Sequence, residues 1–169
     1  TLPRFHGSEV ALWPDARKFM SGVGESVPMS GFICLESTPE LASGYFYDQV
    51  QDCLRGTSTW KLFVLPWWLD EGYRLEPDDA LVRPEDRVSP LAYSKEEQAL
   101  VTTHHLTEPQ IRWRRYKETE LGELFPSRYI EDPVSCFLSS EDMVFYDCVE
   151  ELNLMAKSCI GGCQTGWLE

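Results

Sequence analysis

The stretch 32–47, FICLESTPELASGYFY, constrains the fold more than any other part of the sequence. It opens with four apolar residues, 32–35, between turn-forming residues, a pattern typical of a central strand buried on both faces. Apolar side chains then recur at every fourth position, which predicts an amphipathic helix over 42–54. The apolar stripe of that helix is Phe46, Val50 and Leu54. A strand, a polar turn and a helix in this order form half of a βαβ unit.

Three polar residues, Glu36, Ser37 and Thr38, follow this strand directly. In open α/β sheets, ligands bind in the crevice beyond the carboxyl ends of the strands, so these side chains stand where a bound group would be sensed. The same residue types also cap helices, and the turn would then only start a helix near Pro39. The residue types alone favour the cap, and a ligand site is the alternative.

The N-terminal residues predict the other half of the unit. Residues 1–7 are typical of a strand that ends near Gly7. Pro14 is expected to open a helix that is apolar on one side and that Gly22 and Gly24 end. This helix crosses over to the strand at 32–35, which completes a β, α, β sequence with parallel strands.

Glu9 follows the first of these strands by two residues. Because parallel strands of a βαβ unit end at the same edge of the sheet, we expect Glu9 and Ser37 to lie side by side. A carboxylate at this edge can orient or deprotonate a water molecule. A single glutamate after a strand is, however, more often a carboxylate at a helix N-terminus, and this second interpretation stays open.

The run at 60–69, WKLFVLPWWL, predicts another buried strand. Its tryptophans are interpreted as packing residues, with a stacking platform for a base as the alternative. Residues 70–93 are rich in Asp, Glu and Pro and predict a surface excursion between two subdomains.

Two helix start signals follow, at Ser94 and at Thr107. They predict one helix over 94–106 and a second that Gly122 ends. Because the connection between them is short, the two helices are expected to form an αα-hairpin.

The net charge of −13 argues against an extended nucleic-acid surface, because phosphate contacts require Lys and Arg. The only dense basic group lies in the second predicted helix. It comprises Arg112, Arg114, Arg115 and Lys117. Such a group is usually a solvated helix face, and contact of Arg112, Arg114 and Arg115 with phosphate or DNA is the alternative.

The six cysteines are scattered through apolar segments, which fits buried thiols in a reducing cytosol. No run approaches 18 apolar residues, so no membrane partner is expected. No pattern predicts a metal site. The chain has no initiator methionine and opens within a motif, which predicts a piece of a longer protein.

Several stretches together resemble the large terminase subunit, the ATPase that drives DNA into the heads of tailed phages. They are HGSEVA, LESTPELASGYFYD, WKLFVLPWW, LTEPQIRWRRY and LFPSRYIEDPVSCF. They are similar to a Walker B strand, to the coupling-motif strand with its helix, and to the lid subdomain. The sequence departs from the usual terminase pattern at three places. Ser8 stands where aspartate is usual, Glu40 stands close to where a glycine is usual, and Ser127-Arg128 stands where Gln-Glu is common.

This resemblance implies an α/β fold: a partial P-loop-type parallel sheet of three or so strands with crossover helices, followed by a mainly helical lid. The C-terminal half of the ATPase core would occupy 1–69. A linker and the lid would occupy 70–142. Residues 143–169, with a short strand and a helix, would begin the linker toward a nuclease domain that lies beyond Glu169.

The resemblance also implies roles. Glu9 would position or deprotonate the water that attacks ATP, and Ser37 and Thr38, with Glu36, would sense the γ-phosphate. ATP and Mg²⁺ would bind the intact protein but not this chain alone, because none of its lysines follows a glycine as a P-loop requires. The implied partners are the portal protein, the small terminase subunit and double-stranded DNA, in a homo-oligomeric ring in the host cytoplasm.

Two other classes of protein remain as alternatives. The missing P-loop favours a non-catalytic binding module or a prophage remnant. A strand followed by a glutamate and a hydroxyl-bearing turn also occurs in helicase-like ATPases, of which this chain would then be a part.

Overall fold

The computed structural model describes residues 2–138. The strand predicted within 143–146, the helix predicted within 149–157 and the cysteines at 148, 159 and 163 lie outside this range. The described strands are β1 (Arg4–Gly7) and β2 (Phe32–Leu35), and the helices are α1 (Ala16–Ser26), α2 (Tyr45–Leu54), α3 (Lys95–His104), α4 (Glu108–Leu121) and the short α5 (Phe125–Arg128). No helix of this part of the chain is long and apolar enough to cross a membrane.

The two strands form a parallel sheet in which Arg4 pairs with Phe32 and Gly7 pairs with Leu35. Helix α1 connects them, so the predicted β, α, β order is confirmed. The fold is mixed α/β, with a two-stranded parallel sheet in the described residues.

The prediction that β2 is buried on both faces is wrong. One face of the sheet packs against α1, where the Phe5 ring lies 6.2 Å from that of Phe19. The other face carries Phe32 and Cys34, and the Phe32 side chain is 62% exposed. Within residues 2–138 this second face forms part of an open concave surface.

Helix α1 does not end at Gly22 or Gly24 but continues to Ser26. Each glycine costs only about 1 kcal/mol in a helix interior. The apolar stripe of Ala16, Met20 and Val23 is buried along the whole helix, and this burial outweighs the cost of the glycines.

The strand predicted at 60–69 is also wrong. Among the described residues, none of 61–65 forms a backbone–backbone hydrogen bond. The segment is extended, and Phe63 and Leu65 are 71% and 76% exposed. Its sequence suits a strand, but without a pairing partner it has no ladder, and the segment ends in a single 3-10 turn at Trp67–Leu69.

The second half of the chain has its own apolar core around Trp67, Ile111 and Trp113. The acidic segment 70–93 is not a simple surface excursion, because it contributes buried side chains to this core. These are Leu75, Val82 and Leu91. The Trp67 and Trp113 rings lie 4.9 Å apart, which agrees with the interpretation of the tryptophans as packing residues.

The two helices predicted in the second half are confirmed as α3 and α4, and residues 105–107 connect them. Helix α3 starts with a capping box in which Ser94 and Glu97 satisfy each other's backbone N–H groups, and Thr107 and Gln110 do the same for α4. Gly122 ends α4, as expected from its position.

Candidate functional site

The carboxyl ends of β1 and β2 place two polar turns next to each other. The backbone of the second turn is joined to that of the first, since the Glu36 N–H donates to the Gly7 carbonyl at 2.8 Å and the Val10 N–H donates to the Glu36 carbonyl at 3.2 Å. These two hydrogen bonds hold the first turn against the second.

The Glu9 carboxylate receives hydrogen bonds from the second turn. The Thr38 hydroxyl donates to its Oε2 at 2.9 Å, the Ser37 hydroxyl donates at 3.3 Å, and the Thr38 N–H donates at 3.4 Å. All three donors reach the same oxygen. Oε1 forms no hydrogen bond within residues 2–138 and is exposed to solvent with the rest of the side chain.

Ser37 is oriented by a second contact. Its Oγ accepts the Ala11 N–H at 3.1 Å while its own proton points to Glu9. The hydroxyl therefore has a fixed direction, with the donor side toward the carboxylate. The predicted neighbourhood of Glu9 and Ser37 is confirmed.

The backbone of Glu9 adopts a left-handed conformation, with φ +53° and ψ +44°. A non-glycine residue held in a sparsely populated region of this kind costs of the order of 1–3 kcal/mol, and such residues are concentrated at functional sites. The next residue, Val10, is 1% exposed and anchors the turn in the core. The strained conformation directs the Glu9 side chain toward Thr38.

Gly7 is required by close packing at the end of β1. A Cβ at this position would lie 2.8 Å from Cη2 of Trp13 and 3.0 Å from Cδ2 of Leu35. The Trp13 indole also donates to the Ser8 carbonyl at 2.9 Å. Trp13 thus covers the start of the turn that carries Glu9.

The structure contradicts the interpretation of residues 36–38 as a cap of the following helix, whereas Glu9 does stand at the N-terminus of a short helix, as the second interpretation of that residue expected. Helix α2 begins at Tyr45 rather than near Pro39, and Gly44 precedes it, so none of Glu36, Ser37 and Thr38 caps it. Glu9 precedes a 3-10 turn, Val10–Leu12, but its side chain makes no capping hydrogen bond there.

Glu36 is separated from the other predicted residues. Its Oε1 accepts the Ser8 hydroxyl at 2.5 Å and lies 3.7 Å from Nε2 of His6. Because successive side chains along an extended chain alternate in direction, Glu36 points away from Glu9. The register of the two strands brings His6 next to Glu36.

The described residues do not fit a magnesium site. Mg²⁺ prefers one or two carboxylates together with phosphate oxygens and water. The Ser8 hydroxyl is directed at Glu36, and Oε2 of Glu9 is occupied by three donors. Within residues 2–138, no group of three or more His, Cys, Asp and Glu side chains is placed to hold a metal ion.

The contact of Arg112, Arg114 and Arg115 with phosphate or DNA is not supported. Arg112 and Arg114 are 2% and 6% exposed, and the Arg115 side chain is 16% exposed. The group is not a solvated helix face either, because α4 is enclosed by the acidic segment 70–93 and by residues near 131.

Each of these guanidinium groups has acidic partners inside the protein. Arg114 donates to both oxygens of Glu131, at 2.7 and 3.0 Å, and Arg115 donates to both oxygens of Glu97, at 2.7 Å each. Arg115 also contacts Asp86. The sequence offered no signal for these pairs, which join residues 17 to 29 positions apart.

The pairing changes the acidity of the partners. Burial alone would raise the pKa of Glu97, but hydrogen bonds from Arg115 and from the Ser94 N–H, together with the positive charge of Arg115, lower it below the ordinary 4.5. The pKa of Asp86 is lowered as well, since hydrogen bonds from Arg83 and Arg115 outweigh its burial. Both groups are therefore ionised near neutral pH.

At Cys136 the effect of burial prevails and raises the pKa of the thiol to about 11. Cys34, Cys53 and Cys136 are free thiols.

No family model matches this chain, and no curated protein or solved structure matches it either. What the geometry defines is a type of site: an exposed carboxylate, with one oxygen held by two hydroxyl groups and a backbone N–H, at the carboxyl edge of a parallel sheet.

Proposed function

We propose that this chain is the C-terminal half of the ATPase domain of a large terminase subunit, together with its lid. In the intact protein, the function would be ATP-driven translocation of double-stranded DNA into a procapsid. The observation that carries this proposal is the contact between the Glu9 carboxylate and the Ser37 and Thr38 hydroxyls across the ends of two parallel strands.

The site is suited to activating a water molecule. With Oε2 of Glu9 held by three donors, its exposed Oε1 is oriented to accept a proton or a hydrogen bond from water. A γ-phosphate would be a competing acceptor for the hydroxyls of Ser37 and Thr38. Binding of ATP and loss of the γ-phosphate would therefore change the contact to Glu9, which is how the turn would sense the nucleotide.

The residues of this chain do not form a phosphate-binding P-loop. None of the five lysines follows a glycine, so the P-loop, and with it ATP and Mg²⁺ binding, belongs to other residues of the intact protein. The portal protein, the small terminase subunit, the DNA and the ring of identical subunits are likewise partners of the intact motor. With the densest basic group turned inward, contact with DNA is assigned to other segments.

The test is ATP turnover by Glu9→Gln in the complete protein. Loss of a general base costs about 10²- to 10⁴-fold in rate, whereas binding of nucleotide should remain close to that of the parent. Glu25→Gln, which changes an exposed glutamate of α1, is the matched control and should turn over ATP like the parent. Turnover by Glu9→Gln within about threefold of the parent would refute the proposal.

The lack of a P-loop in this chain also favours a second candidate, a non-catalytic module that docks on a partner motor or is left from a decayed prophage. A complete protein that has no P-loop upstream of Glu9 and no ATP turnover would favour this candidate. A complete protein with helicase motifs upstream would instead place the chain in a helicase-like ATPase.

A further inference from the structure

The turn that carries Ser37 and Thr38 is tied to a distant part of the chain through Glu40. Only Pro39, which is buried, separates Thr38 from Glu40. The Glu40 carboxylate forms an ion pair with Arg128, the last residue of α5, with 3.1 Å between Oε1 and Nη1. The two residues lie 88 positions apart in the sequence.

The backbone of the same turn is held by a second contact. The Leu138 N–H donates to the Glu40 carbonyl at 2.9 Å, and the Ala42 N–H donates to the Leu138 carbonyl at 2.8 Å. Leu41 and Leu138 thereby form a parallel bridge. Leu138 is 5% exposed, so this bridge is sheltered from water.

Side-chain packing supports these polar contacts. The Tyr47 ring of α2 meets the Phe137 ring edge to face, with 5.0 Å between centroids. Cys136, one residue earlier, is 2% exposed. The segment 136–138 therefore packs against residues on the C-terminal side of the turn. Arg128 connects α5 to Glu40 in the same region.

A turn that is fixed at both ends can hold its hydroxyls in one place. On the N-terminal side the strand pairing fixes Glu36, and on the C-terminal side Glu40 is fixed by Arg128 and Leu138. The restricted φ of the proline between Thr38 and Glu40 limits the conformations of this short connection, so a shift of Glu40 also affects the position of Thr38. The distance from Thr38 to Glu9 thus depends on where α5 and 136–138 lie.

We infer that Glu40 and Arg128 are positioning residues: their ion pair, with the bridge at Leu138, sets the Ser37 and Thr38 hydroxyls against Glu9. The effect on catalysis rests on the proposed function, whereas the effect on the turn does not. Because coupling between two contacts is reciprocal, a change in the contact between Thr38 and Glu9 also changes the position of α5.

The turn can be observed directly through two amide groups. The Thr38 N–H donates to Glu9, and the Ala42 N–H donates to Leu138, so hydrogen exchange of both amides, measured by NMR, reports on the turn. In the 169-residue chain, Arg128→Gln and Glu40→Gln should each speed exchange at both amides by about two- to fivefold, the range expected from loss of a partly exposed ion pair.

The matched control is Arg55→Gln, which breaks the ion pair of Arg55 with Asp52 on α2. It should leave exchange at both amides unchanged. The double variant that combines Glu40→Arg with Arg128→Glu exchanges the two charges, and it should restore slow exchange. Unchanged exchange in both single variants, or no recovery in the double variant, would overturn the inference.

Catalysis supplies a second measurement in the complete protein. Arg128→Gln should lower kcat for ATP while the KM for ATP stays the same, and the double variant should recover kcat. A merely structural role would instead lower the fraction of folded enzyme, which active-site titration detects. If Glu9→Gln is as active as the parent, the proposed function fails, but the exchange experiment still decides whether Glu40 and Arg128 position the turn.

Discussion

At the scale of single residues, the directions of a few side chains decide what the site can do. Sequence patterns predicted that Glu9, Ser37 and Thr38 would meet, because the ends of parallel strands must meet. They did not predict that Glu36 would turn to Ser8 and His6, since this depends on the register of the two strands. Nor could they predict that Arg115 pairs with two buried acids, because its partners Asp86 and Glu97 come from other elements.

The pairing of Arg115 with two buried acids gives a prediction about stability. Arg115→Met leaves Asp86 and Glu97 without their common cation, so at pH 7 it should lower the free energy of unfolding by about 3–5 kcal/mol. Urea unfolding of the variant and the parent measures this difference. The control Lys117→Met removes a more exposed cation from the same helix and should cost less than about 1 kcal/mol.

The same pair of acids fixes the sign of a pH effect. Their pKa values are lowered in the folded parent, so their contribution to stability is present above the unfolded values, near 4, and is lost as the pH falls through the folded values. In Arg115→Met the acids become neutral more easily, and the gap between variant and parent should therefore shrink as the pH is lowered. A gap that stays constant from pH 7 to about pH 3 would contradict the assigned pairing.

At the scale of elements, hydrophobic periodicity and helix start signals predicted the features that interactions between near neighbours in the sequence determine. The sequence predicted the capping boxes of α3 and α4 and the apolar stripe of α2, because each of them involves residues three or four positions apart. The segment 60–69 shows the limit of such patterns. Its apolar run suits a buried strand, but strand formation requires a neighbouring strand, and none pairs with it within residues 2–138.

Two glycines of the N-terminal half make opposite predictions. Gly24 lies in α1 with nothing within 4 Å of an added Cβ, so Gly24→Ala should stabilise the protein by about 0.5–1 kcal/mol. Gly7 has no such space, and Gly7→Ala should destabilise it by about 1–3 kcal/mol because Trp13 and Leu35 must move. Thermal unfolding of the two variants measures both effects, and the same sign for both would contradict the packing described for the end of β1.

At the scale of the whole molecule, contacts distant in sequence hold the helical half together and join it to the sheet. The Trp67 indole donates to Glu131 at 2.9 Å, and that carboxylate also binds Arg114 of α4. Leu138 forms a bridge with Leu41, which follows the turn after β2. These contacts could not be predicted from the sequence, because each joins elements whose relative placement depends on the complete fold.

We propose that the two polar turns at the sheet edge form one site for phosphoryl transfer to water. A structure of the complete protein with ADP and aluminium fluoride, which imitates the transferred phosphoryl group, tests this most directly. We expect a water molecule bound to the Glu9 carboxylate at about 3 Å and in line with the fluoride, with the Ser37 or Thr38 hydroxyl in contact with the fluoride. An ordered analogue bound elsewhere, with Glu9 in contact only with bulk solvent, would contradict it.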